Sequence, residues 1–237
     1  MAKSDELAPR KAAARAVPTP RRTRLSGPER RATIVAAARE VFLEEGFSGA
    51  RTRAIAERAG ITEAVLYRHF ASKEEIFEAA VLAPLGELLD ELLTRSRETL
   101  RAGGSEGHLV AAVETVWLEV ITRLAPLLGV ALFSDQASGR RCYRGQVVPF
   151  LDALLAEFQA AGLLPAREGG TDGWAVVRAA FGMNLLLALD LLQTGREVDT
   201  PVLVGQITDL LTLGLSSGRS LRLGQSAQRR AAALKRR

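Results

Sequence analysis

Apolar residues recur at helical spacing along most of this chain, and no segment shows the strict apolar–polar alternation of a half-buried strand. The first stripe, Ile34, Ala38, Val41 and Phe42, follows helical offsets of four, seven and eight residues. Alanine, leucine and arginine dominate the chain, and all three favour helix. The sequence therefore predicts an all-α fold, and its 237 residues suffice for a small domain followed by a larger one.

Capping residues predict where the helices begin and end. Ser26 and Glu29 have capping-box spacing with Pro28 in the permissive first turn, so the first helix is predicted to begin there and to end at Gly46. Further helices are predicted at 52–59, 62–70, 72–102, 108–127, 129–134, 138–162, 171–194 and 201–217. Pro84 is expected to kink the 72–102 helix or to shift its boundary.

The positive charge lies at the two ends of the chain. Residues 1–25 carry seven Lys/Arg against two acids, and residues 219–237 carry seven against none, so the body between them is net acidic although the whole chain is +5. Both ends lack a sustained apolar period and are predicted to be disordered. They are either solvated tails or segments that attract phosphates in a salt-dependent way.

Several classes of site are not expected. The single Cys142 excludes an intrachain disulfide and a multi-cysteine zinc site, and two histidines make a His-rich metal site improbable. No nucleophile elbow, P-loop or dinucleotide fingerprint is present, so no catalytic residue, metal or cofactor is predicted. The N-terminus lacks the apolar core of a signal peptide, and the run FGMNLLLALDLL is predicted to be too short to span a bilayer. A soluble, cytoplasmic protein that does not act at a membrane is expected.

Two short predicted helices, 52–59 and 62–70, are separated only by Gly60 and Ile61, which gives the helix–turn–helix shape of DNA-reading motifs. On a wheel of about 100° per residue, Leu66 and Phe70 face the core. The opposite face carries Ala64, Val65 and Arg68, which suit thymine methyls and guanine O6/N7 in a major groove. Side chains suited to phosphate oxygens lie beside this face or near it: Tyr67, His69, Lys73, Arg51 and Arg53.

The stretch from residue 30 to about residue 81 contains EEGF, IAERAGI, LYRHF and SKEEIF, and it closely resembles the DNA-binding domain of TetR-type bacterial transcriptional regulators. The resemblance implies a non-enzymatic homodimer with an N-terminal three-helix DNA-binding domain and a larger helical domain that binds a ligand and dimerises. The family's DNA-contact positions correspond to Thr62, Glu63, Ala64, Tyr67, Arg68, His69 and Lys73.

The expected domains and partners follow from this resemblance. Double-stranded DNA with a palindromic operator, a second copy of the chain and an unidentified small molecule are the expected partners. The dimer is expected to form through helices 171–194 and 201–217 as a four-helix bundle, and a helix that is apolar on nearly all sides needs such a second surface. The expected divisions are a basic tail at 1–25, the helix-turn-helix domain at 26–78, the effector-binding and dimerisation domain at 79–218, and a second basic tail at 219–237.

Two positions depart from the family pattern. Arg51 stands where Ser or Thr commonly caps the second helix, so Thr52 or a water is expected to serve instead. Glu63 places an acid near the bases, where it could accept from cytosine N4 or simply point along the helix. Its wheel angle favours the second interpretation.

An effector pocket for a largely apolar ligand is expected among the middle helices. The candidate lining residues are Trp117, Phe133, Phe150, Leu154, Trp174, Arg178 and Phe181, together with Leu118 and Phe158. For each of them ordinary core packing, or a structural ion pair in the case of Arg178, is the favoured alternative.

The sequence therefore favours a repressor that a ligand releases from DNA, with the helix that begins at Ser72 as the connecting lever. An architectural DNA-binding protein without an effector is the alternative. An enzyme or carrier built on a helical bundle is a third hypothesis.

Overall fold

A computed structural model of the chain describes residues 26–133, 135–164 and 172–216. The two predicted basic tails, 1–25 and 219–237, lie outside these residues. Within the described ranges the regular structure is helical, without a strand, which confirms the predicted all-α fold.

Within the described ranges, ten α-helices and two π-helical segments follow one another. The helices are α1 Gly27–Gly49, α2 Thr52–Arg58, α3 Glu63–Leu66, α4 Lys73–Phe77, α5 Ala83–Ala102, α6 Glu106–Phe133, α7 Gln136–Cys142, α8 Val148–Ala160, α9 Asp172–Thr194 and α10 Thr200–Ser216. The first π segment, Glu78–Leu82, joins α4 to α5, and the second, Tyr143–Val147, joins α7 to α8.

The ends of α1 lie where the sequence places them. The Ser26 amide donates to Glu29 Oε2 at 2.8 Å, and the Glu29 amide donates to Ser26 Oγ at 3.4 Å, which completes the predicted capping box. Gly46 adopts a φ of 70° and breaks the helix, so the three residues that follow it form only a short extension.

Two predicted helix boundaries are wrong. The segments 108–127 and 129–134 are not separate helices, because α6 runs unbroken from Glu106 to Phe133 through Pro126. A proline removes one backbone hydrogen bond, but α6 packs against α5, α9 and α10, and this burial keeps the helix continuous. The predicted helix 138–162 is interrupted instead, since the second π segment divides it into α7 and α8.

Each π segment ends two residues before a proline, Pro84 in α5 and Pro149 in α8. A proline has no N–H for the carbonyl four residues earlier and its ring crowds that carbonyl, so a widened turn relieves the clash. For Pro84 that carbonyl belongs to Ala80, and it accepts a hydrogen bond from Arg39 Nε of α1 at 3.1 Å. Pro84 thus shifts the helical boundary, as predicted, and α1 supplies the missing donor.

One hydrophobic core extends from α1 to α9, with α6 near its centre. The predicted core residues Phe42, Ile55, Leu66 and Phe70 are each at most 1% exposed, which confirms that prediction. Ala80 and Val81 of the first π segment are also fully buried, so the two parts of the chain share this core. A second cluster between α6 and α10 contains Leu118, Val204 and Ile207.

Among the described residues, two helices are long and apolar enough to cross a membrane by length and composition alone, Glu106–Phe133 and Gly173–Thr194. The prediction that the most apolar run is too short is therefore wrong, because that run lies within a longer unbroken helix. The most apolar window of α6 is 56% buried inside the chain, as in the core helix of a soluble protein, whereas that of α9 is only 22% buried.

Candidate nucleic-acid interface

A glycine turn fixes the angle between α2 and α3. Gly60 has a φ of 66°, its amide donates to the Glu57 carbonyl at 3.1 Å, and the Ile61 amide donates to the Ala56 carbonyl at 2.9 Å. This pair of hydrogen bonds is a Schellman motif, which satisfies the last carbonyls of α2 and turns the chain sharply. The predicted role of Gly60 is confirmed by this geometry.

The helix α3 is held from one side and open on the other. Thr62 caps it, with Oγ1 accepting from the Val65 amide at 3.4 Å, and Leu66 and Phe70 are buried beneath it. Ala64, Tyr67 and Arg68 are exposed, whereas Val65 and His69 are half-buried. After Leu66 the turn tightens, since the Arg68 and His69 amides donate to carbonyls three residues earlier, so the α-helix is shorter than the predicted 62–70.

The outer side of α3 opens into a cleft of about 400 Å³ that also reaches the start of α1. Ser26, Gly27 and Arg30 line it at the start of α1, and Arg68 and His69 line it from the turn that follows α3. The sequence analysis missed Arg30, because only folding brings the first turn of α1 beside α3. Its one sequence signal is a cation in a first helical turn, where the helix dipole favours acids.

A hydrogen-bonded chain of side chains ties Glu63 back toward α2. The Tyr67 hydroxyl donates to Thr52 Oγ1 at 3.3 Å, and the Thr52 hydroxyl donates to Glu63 Oε1 at 2.7 Å. Thr52 therefore does not cap α2, contrary to one expectation, and the N-cap residue Arg51 makes no side-chain capping bond. The Thr52 bond holds the Glu63 carboxylate along the protein surface, in keeping with the favoured interpretation of Glu63.

The remaining predicted phosphate-contact cations differ in their surroundings. Arg51 is exposed at the start of α2. Arg53 Nε lies 2.8 Å from Glu57 Oε1, and this hydrogen bond raises the Arg53 pKa. The Lys73 ammonium lies 4.7 Å from the centre of the Phe47 ring in a cation–π contact, so its side chain is half-buried.

One cation of this region has a structural role. Arg58 donates to both carboxylate oxygens of Glu44 at 2.8 Å, which clamps α2 against α1. The guanidinium holds the pKa of the Glu44 carboxyl below its usual range, chiefly through this hydrogen bond. Arg58 is therefore occupied within the protein.

The predicted effector pocket corresponds only in part to a cavity. A cavity of about 40 Å³ lies among α6, α8, α9 and α10, and of the predicted residues Trp117 and Phe158 line it. Phe150, Leu154 and Phe181 are buried in the adjoining core. The ring centres of Trp117 and Phe181 lie 5.9 Å apart in an edge-to-face contact.

Three further predicted lining residues do not fit this cavity either. Phe133 is 81% exposed at the end of α6, and Trp174 is 50% exposed on α9, so neither fits an interior pocket wall. The Arg178 guanidinium stacks 4.6 Å from the Trp174 ring centre and lies 2.8 Å from Asp152 Oδ1. This arrangement is the structural ion pair that the sequence analysis favoured for Arg178.

Glu114, a buried acid that lines the cavity, was not predicted from the sequence. Asn184 Nδ2 donates to Glu114 Oε2 at 3.0 Å. Burial raises the pKa of the Glu114 carboxyl to about 7, although the Asn184 hydrogen bond lowers it. The signal was the placement of Glu114 within a helical apolar stripe that contains Val110 and Trp117.

Comparison with known proteins places this geometry in context. The family model described as bacterial regulatory proteins, tetR family, matches residues 34–80. The HTH-type transcriptional regulator UidR of Escherichia coli K12 is 32% identical over 143 residues, which cover 59% of this chain and 67% of UidR. The HTH-type transcriptional activator FasR of Mycolicibacterium smegmatis is 41% identical over 95 residues, which cover 40% of this chain and 42% of FasR. This chain therefore matches less than half of the length of FasR.

A solved structure has the same fold. The transcriptional regulator FadR of Bacillus subtilis, in complex with stearoyl-CoA, superposes with a TM-score of 0.54 and 20% sequence identity. The match covers 76% of this chain and 96% of that one. At this identity the likeness concerns the fold alone.

Proposed function

Because this chain belongs to the TetR family of bacterial regulatory proteins, we propose that it is a DNA-binding transcriptional regulator that works as a homodimeric, ligand-released repressor. The observation that carries the proposal is the two-sided environment of α3. Leu66 and Phe70 fix its inner side in the core, while the opposite side is open to a partner. Membership of a family of regulators also agrees with the expectation of a non-enzymatic protein.

The open side of α3 suits a major groove. Ala64 and Val65 are small enough to meet thymine methyls, and the exposed Arg68 can donate two hydrogen bonds to guanine O6 and N7. His69 and Arg30 border the cleft beside it and can contact phosphate oxygens, which position the helix. Other side chains proposed to contact the DNA backbone are Arg51, Arg53, Thr62, Tyr67 and Lys73, with Glu63 at the edge of the interface.

The proposed homodimer is supported by apolar side chains that the single chain leaves uncovered. Leu186 of α9 is 68% exposed and Leu210 of α10 is 61% exposed, and Leu192 and Val202 are also exposed. A second copy would bury both helices in a four-helix bundle. The two-fold axis of such a dimer would present two copies of α3 to a palindromic operator whose half-sites lie one DNA turn, ~34 Å, apart. Covering α9 in this way also fits the proposed cytoplasmic location.

A physical connection joins the proposed DNA-reading end to the cavity. Arg39 of α1 donates a hydrogen bond to the Ala80 carbonyl of the first π segment, and this segment continues directly into α5. There Ser96 accepts a hydrogen bond from the indole N–H of Trp117, which lines the cavity, at 3.1 Å. A ligand that favours one position of the first π segment and α5 would shift the population of DNA-binding dimers.

Two observations favour alternatives to a ligand-released repressor. The name of FasR states activation, which favours an activator as a second candidate. The cavity is only about 40 Å³, which favours a DNA-binding protein without a small-molecule effector. The complex of B. subtilis FadR with stearoyl-CoA supports the ligand-responsive form, because a protein of this fold holds a ligand with a long acyl chain.

The test is a gel shift with the DNA that flanks the gene for this protein, paired with a reporter for the neighbouring promoter. A regulator should shift one flanking fragment in preference to a scrambled fragment of equal length. Deletion of the gene should raise reporter output for a repressor and lower it for an activator. Equal binding to all fragments, without a change in reporter output, would favour the architectural alternative.

A further inference from the structure

The cavity among α6, α8, α9 and α10 combines an apolar wall with one acid. Its described lining residues are apolar except for Glu114 of α6, which is only 3% exposed. A leucine at this position would avoid the cost of removing a carboxyl group from water. Among the described residues no cation pairs with Glu114, and a buried acid without a countercharge is costly unless another molecule binds it.

The hydrogen-bond inventory beside Glu114 is short of donors. Asn184 of α9 is fully buried, and its Nδ2 donates both to Glu114 Oε2 at 3.0 Å and to the Ala180 carbonyl at 3.1 Å. Both amide protons are therefore used, whereas Asn184 Oδ1 is buried without a hydrogen-bond partner among the described residues. Of these two residues only Glu114 lines the cavity, and its carboxyl group, when ionised, can only accept hydrogen bonds from another molecule.

We propose that this cavity is the effector site and that it takes a largely apolar molecule bearing an amine, which Glu114 binds while Asn184 holds the Glu114 carboxyl group in place. The inference deepens the proposed function and rests on it for the word effector. A protonated amine supplies three donors and the charge opposite to that of a carboxylate. Since Glu114 is almost completely buried, this attraction is stronger than at the surface. An alcohol offers a single donor, and a carboxylate ligand would be repelled.

The size of the cavity determines how such a molecule would act. A volume of about 40 Å³ holds roughly three water molecules, so an alkyl chain has to displace lining side chains. Phe158 of α8 and Leu211 of α10 are among these lining side chains. Because α10 also belongs to the proposed dimer interface, displacement of Leu211 would connect ligand binding to the assembly of the two subunits.

Fluorescence provides a direct test, because the chain has two tryptophans and Trp117 lines the cavity. Trp174→Phe leaves Trp117 as the only indole, and the full-length variant is titrated with octylamine, 1-octanol and octanoate. We expect octylamine to change the emission with an affinity roughly tenfold higher than that of octanol, because hydrogen bonds to charged groups are the stronger ones. Octanoate should bind most weakly. Equal or tighter binding of octanoate, or no binding of octylamine, would overturn the proposal.

The role of Glu114 is tested by Glu114→Gln, which keeps the shape of the side chain and removes its charge. Octylamine should bind roughly tenfold to a hundredfold more weakly, while octanol should be little changed. Glu106→Gln, on the exposed first turn of the same helix, is the matched control and should leave both affinities unchanged. Unchanged octylamine affinity in Glu114→Gln would contradict the assignment. If that variant does not fold, the order of the three ligands in the Trp174→Phe protein decides alone.

Gel shifts on the same preparations separate this inference from the proposed function. A protein that binds its flanking DNA but not octylamine refutes the amine site and leaves the DNA-binding proposal standing. A protein that binds octylamine but no DNA supports the site and refutes the regulator. Release of DNA by octylamine, lost in Glu114→Gln, would support both.

Discussion

At the scale of single residues, α3 separates side chains that hold the helix from those that can reach a partner. Leu66 and Phe70 follow directly from the apolar spacing, so sequence alone identifies the inner side. Arg68 then stands out on the outer side, because a guanidinium can pair with a base edge through two parallel hydrogen bonds.

Replacement of Arg68 by alanine should change sequence preference. If Arg68 pairs with a guanine, discrimination at one base position should fall by roughly 1–3 kcal/mol. Tyr67→Ala, the matched comparison, should weaken binding to all sequences alike. Binding to an operator library with each base at each position distinguishes the two, and a uniform loss in Arg68→Ala would place Arg68 on a phosphate.

Glu63→Gln should strengthen DNA binding. The amide can still accept from the Thr52 hydroxyl, so the surface keeps its shape while one negative charge leaves an interface with a polyanion. Affinity for operator and unrelated DNA should rise together at low salt, as measured by fluorescence anisotropy. Glu98→Gln, on α5, serves as the control. A selective loss of operator binding would mean instead that Glu63 reads a cytosine.

At the scale of helices and turns, sequence predicted best where one residue decides a boundary. Ser26, Thr62 and Ser72 cap their helices as their side-chain chemistry requires, and Gly60 makes its turn. Prediction was wrong between the predicted helices 108–127 and 129–134, which are one continuous helix in the structure. Glu114 and Arg30 were missed because their surroundings come from helices distant in sequence.

Gly60→Ala tests the turn between α2 and α3. The added methyl group meets no atom within 4 Å, so the cost is conformational and arises from a φ of 66°. The free energy of unfolding should fall by about 1–2 kcal/mol. Gly129→Ala, inside α6 and equally open, should raise it by roughly 0.5–1 kcal/mol. Urea denaturation measures both, and the same sign in the two variants would contradict the argument.

The contact between α6 and α9 should make stability depend on pH. The folded pKa of Glu114 is about 7, above its ordinary value of 4.5. Between these values the unfolded chain loses a proton that the folded chain keeps, so stability falls as pH rises through this window and then levels off. The loss should be roughly 3 kcal/mol.

Thermal melts at pH 5, 6, 7 and 8 measure this effect as the difference between the wild-type protein and Glu114→Gln. The variant should lose the decline across that window, whereas Glu98→Gln should retain it. An undiminished decline in Glu114→Gln would assign the pH dependence to other groups.

At the scale of the whole molecule, the uncovered faces of α9 and α10 should control assembly. Leu186→Glu or Leu210→Glu places a charge where the proposed partner would bury it, so each variant should sediment as a monomer. Phe133→Glu, at an exposed apolar residue on α6, should leave the dimer intact. A monomeric wild-type protein in sedimentation equilibrium, or one that fractionates with membranes, would refute the proposed interface.

The shared core has a consequence for recombination between relatives. Phe77 and Ala80 of the N-terminal part and Ala131 and Cys142 of the larger part belong to one packed cluster. A chimera that joins the DNA-reading residues of one relative to the remainder of another would therefore bring together two core surfaces that do not pack against each other. To function, such a graft would have to carry the matching surfaces of α6 and α7. New operator preferences are more readily acquired by substitutions on the outer side of α3, which leave this packing untouched.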